Sequence, residues 1–134
     1  MNESTLVLAP IGKRFSAQFI DELIAIGGGY SLMLVIKQVV SSDSNAPLLV
    51  LMIFALVYTL LADGMFKGQS MGKKLMKLYV VSNDMEQPCT YLQSFVRNAT
   101  YILGVFDLIF MLGKERRRLG DRLAGTKVVM KITH

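Results

Sequence analysis

Three apolar stretches of this chain carry ionisable residues at positions that lipid should exclude: Asp21 and Glu22, then Asp63, then Arg97 with Asp107. A charged side chain at a bilayer centre costs about 3 kcal/mol on insertion scales, so each group needs a neutralising neighbour or a role in moving ions. If Phe15 marks the interface, Asp21 lies about 9 Å inside the bilayer, and Arg97 lies at a similar depth past Tyr91 on a helix entering from the same side. An Asp21 to Arg97 pair would neutralise both, and Arg14 would then hold Asp63 or Asp121 at the membrane mouth.

Other chemistries find few residues to work with. Cys89 is a single cysteine and His134 a single histidine, so neither a disulfide framework, a zinc or haem set, nor a Ser-His-Asp or Cys-His catalytic group can be assembled. We expect no enzyme, no catalytic residue, no metal and no cofactor. Gly68-Gln69-Ser70-Met71-Gly72-Lys73-Lys74 is one residue short between its glycines for a phosphate loop, has no Ser or Thr after the lysines, and follows no strand. It reads as a turn whose lysines anchor the chain at the interface. Gly27-Gly28-Gly29 lies inside an apolar run and suits close packing or a kink.

The elements that must position these charges follow from composition. The 134 residues are 52% hydrophobic and contain no polar linker long enough to divide the chain, so residues 1–134 form one membrane domain. Phe15 to Ile36 and Pro47 to Phe66 are each long enough for one helical span. Tyr91 to Leu112 is interrupted by Arg97, Asn98, Gly104 and Asp107, which leaves it re-entrant, interfacial or spanning. The expected fold is an all-α membrane protein: two transmembrane helices and a third membrane-embedded helical segment, with a short cytoplasmic β-ribbon as an option. The polar run Ser41 to Asn45 follows span one with no cleavage pattern before it, so that span should stay attached.

Charge orients the spans. Lys13 and Arg14 precede the first, Lys67, Lys73, Lys74 and Lys77 follow the second, and the intervening loop has only Lys37, so the N-terminus belongs in the cytoplasm. The tail from Lys114 to Lys131 is basic too, and three full crossings would put it outside. Leu78 to Val81 and Thr126 to Met130 are short β-type runs, and their pairing as a cytoplasmic ribbon would require a third segment that bends back near Gly104. The tail has a net-basic chain around it (+5), yet clustered Arg and Lys beside a membrane are what topology and anionic headgroups select, so no nucleic acid is expected. Lys73, Lys74, Arg116, Arg117 and Arg118 are the expected lipid-headgroup contacts.

On the first span, Arg14, Ala17, Gln18, Asp21, Ala25 and Gly28 share one helical face, and Phe15, Phe19, Leu23 and Ile26 lie largely elsewhere. That small, polar face should turn toward the bundle. Ala55, Thr59 and Asp63 form a similar stripe on the second span.

Arg14-x-x-Ala17-x-x-Ile20-Asp21, Gly68-Gln69-Ser70-x-Gly72-Lys73-x-Leu75 and Gly120-Asp121-Arg122-Leu123-Ala124-Gly125-Thr126 together resemble, in order and over nearly the whole chain, the RDD family of bacterial membrane proteins. The Arg and two Asp of that name map onto Arg14, Asp21 and Asp121; where many members have His before the second Asp, this chain has Gly120. The resemblance implies a multi-pass protein of the bacterial cytoplasmic (inner) membrane. It also implies, from a role proposed for some members, Na⁺(Li⁺,K⁺)/H⁺ exchange in which Asp21 binds a proton or monovalent cation and Asp121 gates the cytoplasmic mouth. Asp63, Arg97 and Asp107, charged residues within the apolar stretches, are secondary candidates. Two or three helices cannot enclose a path alone, so exchange would need a homo-oligomer or a larger membrane partner. The competing class is a non-transporting scaffold or accessory subunit whose Arg and Asp network is structural.

Overall fold

A computed structural model of the chain describes residues 4–40, 44–84, 87–115 and 117–133. Strand β1 (Ser4–Leu8) leads through Pro10 into helix α1 (Ile11–Lys37), and a second long helix follows, α2 (Ala46–Leu61) with Pro47 in its first turn, where a missing amide donor does no harm. Among the described residues, these two helices, the second extended by the 3-10 turn Ala62–Gly64, are long and apolar enough to cross a membrane. Of the polar loop between them, Ser41, Ser42 and Asp43 lie outside the described residues.

The expected inward face of α1 is present. Arg14, Ala17, Asp21, Ala25 and Gly29 are buried, while Phe15, Phe19, Leu23 and Ile26 point outward. Glycines in a helix interior cost about 1 kcal/mol each relative to Ala; here they allow α2 to cross, because a Cβ on Gly28 would lie 2.6 Å from the Phe54 ring and one on Gly29 would lie 3.0 Å from the Leu51 carbonyl. The face of α2 turned to α1 therefore runs through Leu51, Phe54 and Tyr58. The expected Ala55–Thr59–Asp63 stripe is offset from it, and Asp63 sits in the 3-10 turn rather than on a helix reaching Phe66.

Past α2 the chain makes a compact turn. Gly68 has φ +84, and its would-be Cβ meets the Val80 carbonyl oxygen. Ser70 then caps the short helix α3 (Met71–Leu75), accepting from the Lys73 amide at 3.3 Å, and strand β2 (Leu78–Ser82) follows. Helix α4 (Tyr91–Ala99) opens with a Thr90/Gln93 capping box, passes into the 3-10 turn Thr100–Leu103, and stops at Gly104 with φ 54 and ψ −117. Helix α5 (Val105–Met111) and helix α6 (Leu119–Leu123) precede strand β3 (Thr126–Thr133).

The all-α expectation needs correction at the sheet. The two expected β runs pair antiparallel, Leu78 with Met130 through Ser82 with Thr126, and β1 adds a third strand on the far side of β3, giving the order β1-β3-β2. Pairing starts before the first long helix because Ser4 opposes Thr133 and Leu8 opposes Val129. Leu78, Val80 and Val128 pack with Ala9, Ala17 and Cys89 as the core between sheet and helices. Burial there pushes the Cys89 thiol up to about 11, so it stays protonated and unreactive at neutral pH.

Two close approaches hold the short helices α3 and α6 to α1 and α4. A Cβ on Gly72 would meet the Ala17 carbonyl oxygen, and one on Gly120 would meet the carbonyl oxygen of Arg97 and the hydroxyl of Thr100. Gly120 thus leaves no room for a side chain at this place. We expect Gly72→Ala and Gly120→Ala each to lower unfolding stability in micelles by about 1–3 kcal/mol. Gly12→Ala, with nothing within 4 Å of its new methyl group, should leave stability equal or slightly raised.

Candidate functional site

Alternating charges run through the molecule where the short helices meet the long ones. Arg14 on α1 donates from Nη2 to Asp121 Oδ2 at 2.7 Å. The other oxygen of Asp121 lies 3.1 Å from Nη2 of Arg97 on α4, and Arg97 Nε lies 3.5 Å from Asp63 Oδ2. Asp63 also accepts from the Lys73 ammonium and, at 3.2 Å, from Asn98 Nδ2. Lys73 then reaches Asp21 Oδ2 at 4.0 Å. The order Asp21, Lys73, Asp63, Arg97, Asp121, Arg14 places three carboxylates among three cations, all of them buried.

Local structure explains why each acid sits where it does. Asp21 meets the start of α3: it accepts from the Ser70 hydroxyl, from the Gly72 amide at 2.8 Å and from Tyr58 Oη at 3.2 Å. Asp121 is the third residue of α6 and accepts from the Arg118 amide at 3.1 Å, capping its own helix. Asp107 is nearly fully buried and accepts from the Thr100 hydroxyl and from the Gly120 amide, both at 3.1 Å, so it ties α5 to α6 and belongs to the packing of the third segment.

The sequence-based pairings are partly redrawn. Arg14 holds Asp121, one of its two expected acids, but Asp21 and Arg97 do not pair: Asp21 is taken by α3 and Lys73, and Arg97 by Asp63 and Asp121. Lys73, expected among the headgroup contacts, is only 7% exposed, because Ser70 starts α3 in a register that turns Lys73 inward and leaves Lys74 outside, its ammonium 4.5 Å from the Phe66 ring centre. Arg118 is likewise buried, with its guanidinium over the Tyr101 ring and bonded to the Tyr101 hydroxyl, which donates to Gln18. Arg117 lies 3.9 Å from Glu115, and Arg116 lies outside the described residues. Tyr58, Ser70 and Asn98 were not among the expected site residues; the placement of Ser70 three residues before Lys73 was a signal for a helix cap.

Between these groups lies a polar cavity of about 10 Å³, room for one water, bordered by Asp21, Glu22, Tyr58, Thr59, Asp63 and Lys73. Gln18 donates to Glu22 at 2.9 Å along its rim. Among the described residues, no group of three or more His, Cys, Asp or Glu is arranged to hold a metal ion. The arrangement can do two things chemically: cross-link α1, α3, α4 and α6 without a net charge, and present Asp21 to a single small polar guest.

Outside the membrane segments, Lys73 and Asp121 titrate away from their ordinary values. Burial lowers the pKa of Lys73, and the attraction of Asp63 and Asp21 does not fully offset it. Burial opposes the charge of Asp121, but Arg97 and Arg14 outweigh it and hold the carboxyl below the usual carboxylate range.

A family model, that of the RDD family, matches residues 8–125. Comparison with curated proteins and with solved structures finds no match.

Asp121 sets an acid limit on the fold. Its folded pKa is depressed, so as pH falls below about 4 the unfolded chain binds the proton first and stability drops. Unfolding measured in micelles from pH 7 to pH 3 should show this loss. Asp121→Asn, which leaves Arg14 and Arg97 facing a neutral amide, should already be about 3–5 kcal/mol less stable at pH 7 and show a shallower acid slope.

Proposed function

The chain belongs to the RDD family, and from that premise we propose that it is a non-enzymatic membrane module whose Arg, Lys and Asp network clamps a cytoplasmic cap onto two spanning helices. One observation carries this: the three buried carboxylates of the network are matched by three buried cations, each acid within 4.0 Å of at least one of them. Removing one member of such a set leaves an uncompensated charge, a loss of about 3–5 kcal/mol, whereas the intact set fixes which elements meet. The cap is the three-stranded sheet with α3 and α6; its exposed surfaces are where a membrane partner or a second copy of the chain would dock.

In this proposal the protein is a multi-pass protein of the bacterial inner membrane with its N-terminus in the cytoplasm. Lys13 and Arg14 in the first turn of α1, and Lys67, Lys74 and Lys77 after α2, support that orientation. The third segment is re-entrant. The pairing of β2 with β3 on either side of it supports entry and exit on one face, and the break at Gly104 leaves two helices of about 14 and 11 Å, each short of the hydrocarbon thickness.

A second function, cation/proton exchange at Asp21 by a homo-oligomer, draws support from the water-sized polar cavity beside Asp21, Glu22 and Asp63. The two separate in proteoliposomes carrying a pH gradient. For the clamp we expect no Na⁺- or K⁺-dependent collapse of the gradient by the parent chain, and a reduced folded yield of Asp21→Asn on size exclusion. Cation-dependent collapse in the parent, absent from a well-folded Asp21→Asn, would reject the clamp in favour of exchange.

A further inference from the structure

Below the crossing of α1 and α2, the lower half of α2 leaves an apolar groove of about 310 Å³ along Phe54, Val57, Tyr58, Leu61, Met65 and Tyr91. It lies on a helix whose remaining outer surface is also apolar, so in a bilayer the groove opens to acyl chains. At its end the character changes within one residue. Phe66 follows Met65, the ammonium of Lys74 stands 4.5 Å from the Phe66 ring centre, and the exposed Lys67 adjoins the same ring in sequence. An ammonium above an aromatic ring at the foot of a span is placed where hydrocarbon gives way to phosphate. One wall of the groove is the ring of Tyr58, whose hydroxyl donates to Asp21 at 3.2 Å.

We infer that this groove is a site for one anionic phospholipid, with an acyl chain against Val57, Leu61 and Tyr91 and the headgroup phosphate at Lys74 and Lys67. A phospholipid is the occupant because it alone combines a long apolar chain with an anion at interface depth, matching an apolar wall whose residue Met65 leads directly into Phe66 and Lys67, with Lys74 over the Phe66 ring. Its ring contact with Tyr58 joins the lipid to the buried charge network, so occupancy steadies the bond between Tyr58 and Asp21. The inference rests on the membrane placement proposed above.

The test is native mass spectrometry of the full chain, offered equal amounts of phosphatidylglycerol and phosphatidylcholine, with unfolding temperature measured alongside. We expect one retained phosphatidylglycerol per chain, and a preference that falls roughly fivefold for each of Lys67→Gln and Lys74→Gln and is unchanged by Lys114→Gln, an exposed lysine elsewhere. Val57→Trp, a half-exposed position that would fill the groove, should lower retention of both lipids. Tyr58→Phe should keep the lipid but lose the rise in unfolding temperature that phosphatidylglycerol brings. Equal retention of the two lipids, an equal loss in Lys114→Gln, or full retention by Val57→Trp would overturn the site; an undiminished temperature rise in Tyr58→Phe would overturn the link to the network. These outcomes concern a chain already inserted in bilayers, so failure to insert at all would instead sink the membrane placement itself.

Discussion

Charges held out of water must find each other, and in this chain that requirement decides which distant segments meet. Asp121 is far from Arg14 in sequence, yet their contact at 2.7 Å brings the last short helix against the start of the first long one. Arg97 binds acids on both sides and so links the turn after α2 to α6, and Lys73 links that same turn to α1. Helices α3 and α6 have five residues each, too short to persist on their own. What keeps them helical is that their first turns carry the network's ligands: Ser70 and Gly72 toward Asp21, and Asp121 toward Arg118.

Backbone approach and charge pairing depend on one another. Asp21 accepts from the Gly72 amide only because α3 rests directly on the backbone of Ala17, four residues earlier on the same face of α1. Gly120 lets α6 sit on the end of α4, and its amide then reaches Asp107. A side chain at either glycine would move a carboxylate away from its donors, so steric and electrostatic penalties would arrive together. The two glycines therefore act as ligand-positioning residues although they have no side chain.

Patterns repeated along one element were legible in the sequence; relations between elements mostly were not. The polar face of α1 followed from three- and four-residue spacing, and it is buried as that spacing requires. The pairing of Leu78–Val81 with Thr126–Met130 followed from β-type composition and Gly-bearing turns. Strand β1 escaped because Thr5-Leu6-Val7-Leu8 lacks a turn signal, and its partner lies at the opposite end of the chain. Lys73 was read with Lys74 as a surface pair, since composition cannot tell two adjacent lysines apart; only the register set by the Ser70 cap sends one inward and the other over Phe66. Equal depth suggested an Asp21 to Arg97 pair, but depth leaves position around the bundle undefined, and Asp63 and Asp121 stand nearer to Arg97.

The network's placement bears on what it can do. Its members cluster at one end of the long helices: Arg14 and Asp21 lie in the first turns of α1, and Asp63 lies just past α2. The other end, toward Gln38 and Asn45, contributes none of the six charges. A chain of ion pairs confined to one end does not by itself form a route across a bilayer, because the apolar length made of residues 26–36 of α1 and the whole of α2 offers no further charge to hand an ion to. Conduction would have to borrow that length from another chain, whereas clamping needs nothing more than the contacts already made. The same asymmetry makes Tyr58 the residue through which the lipid-facing surface can touch the charged end, with its ring among apolar neighbours and its hydroxyl on Asp21.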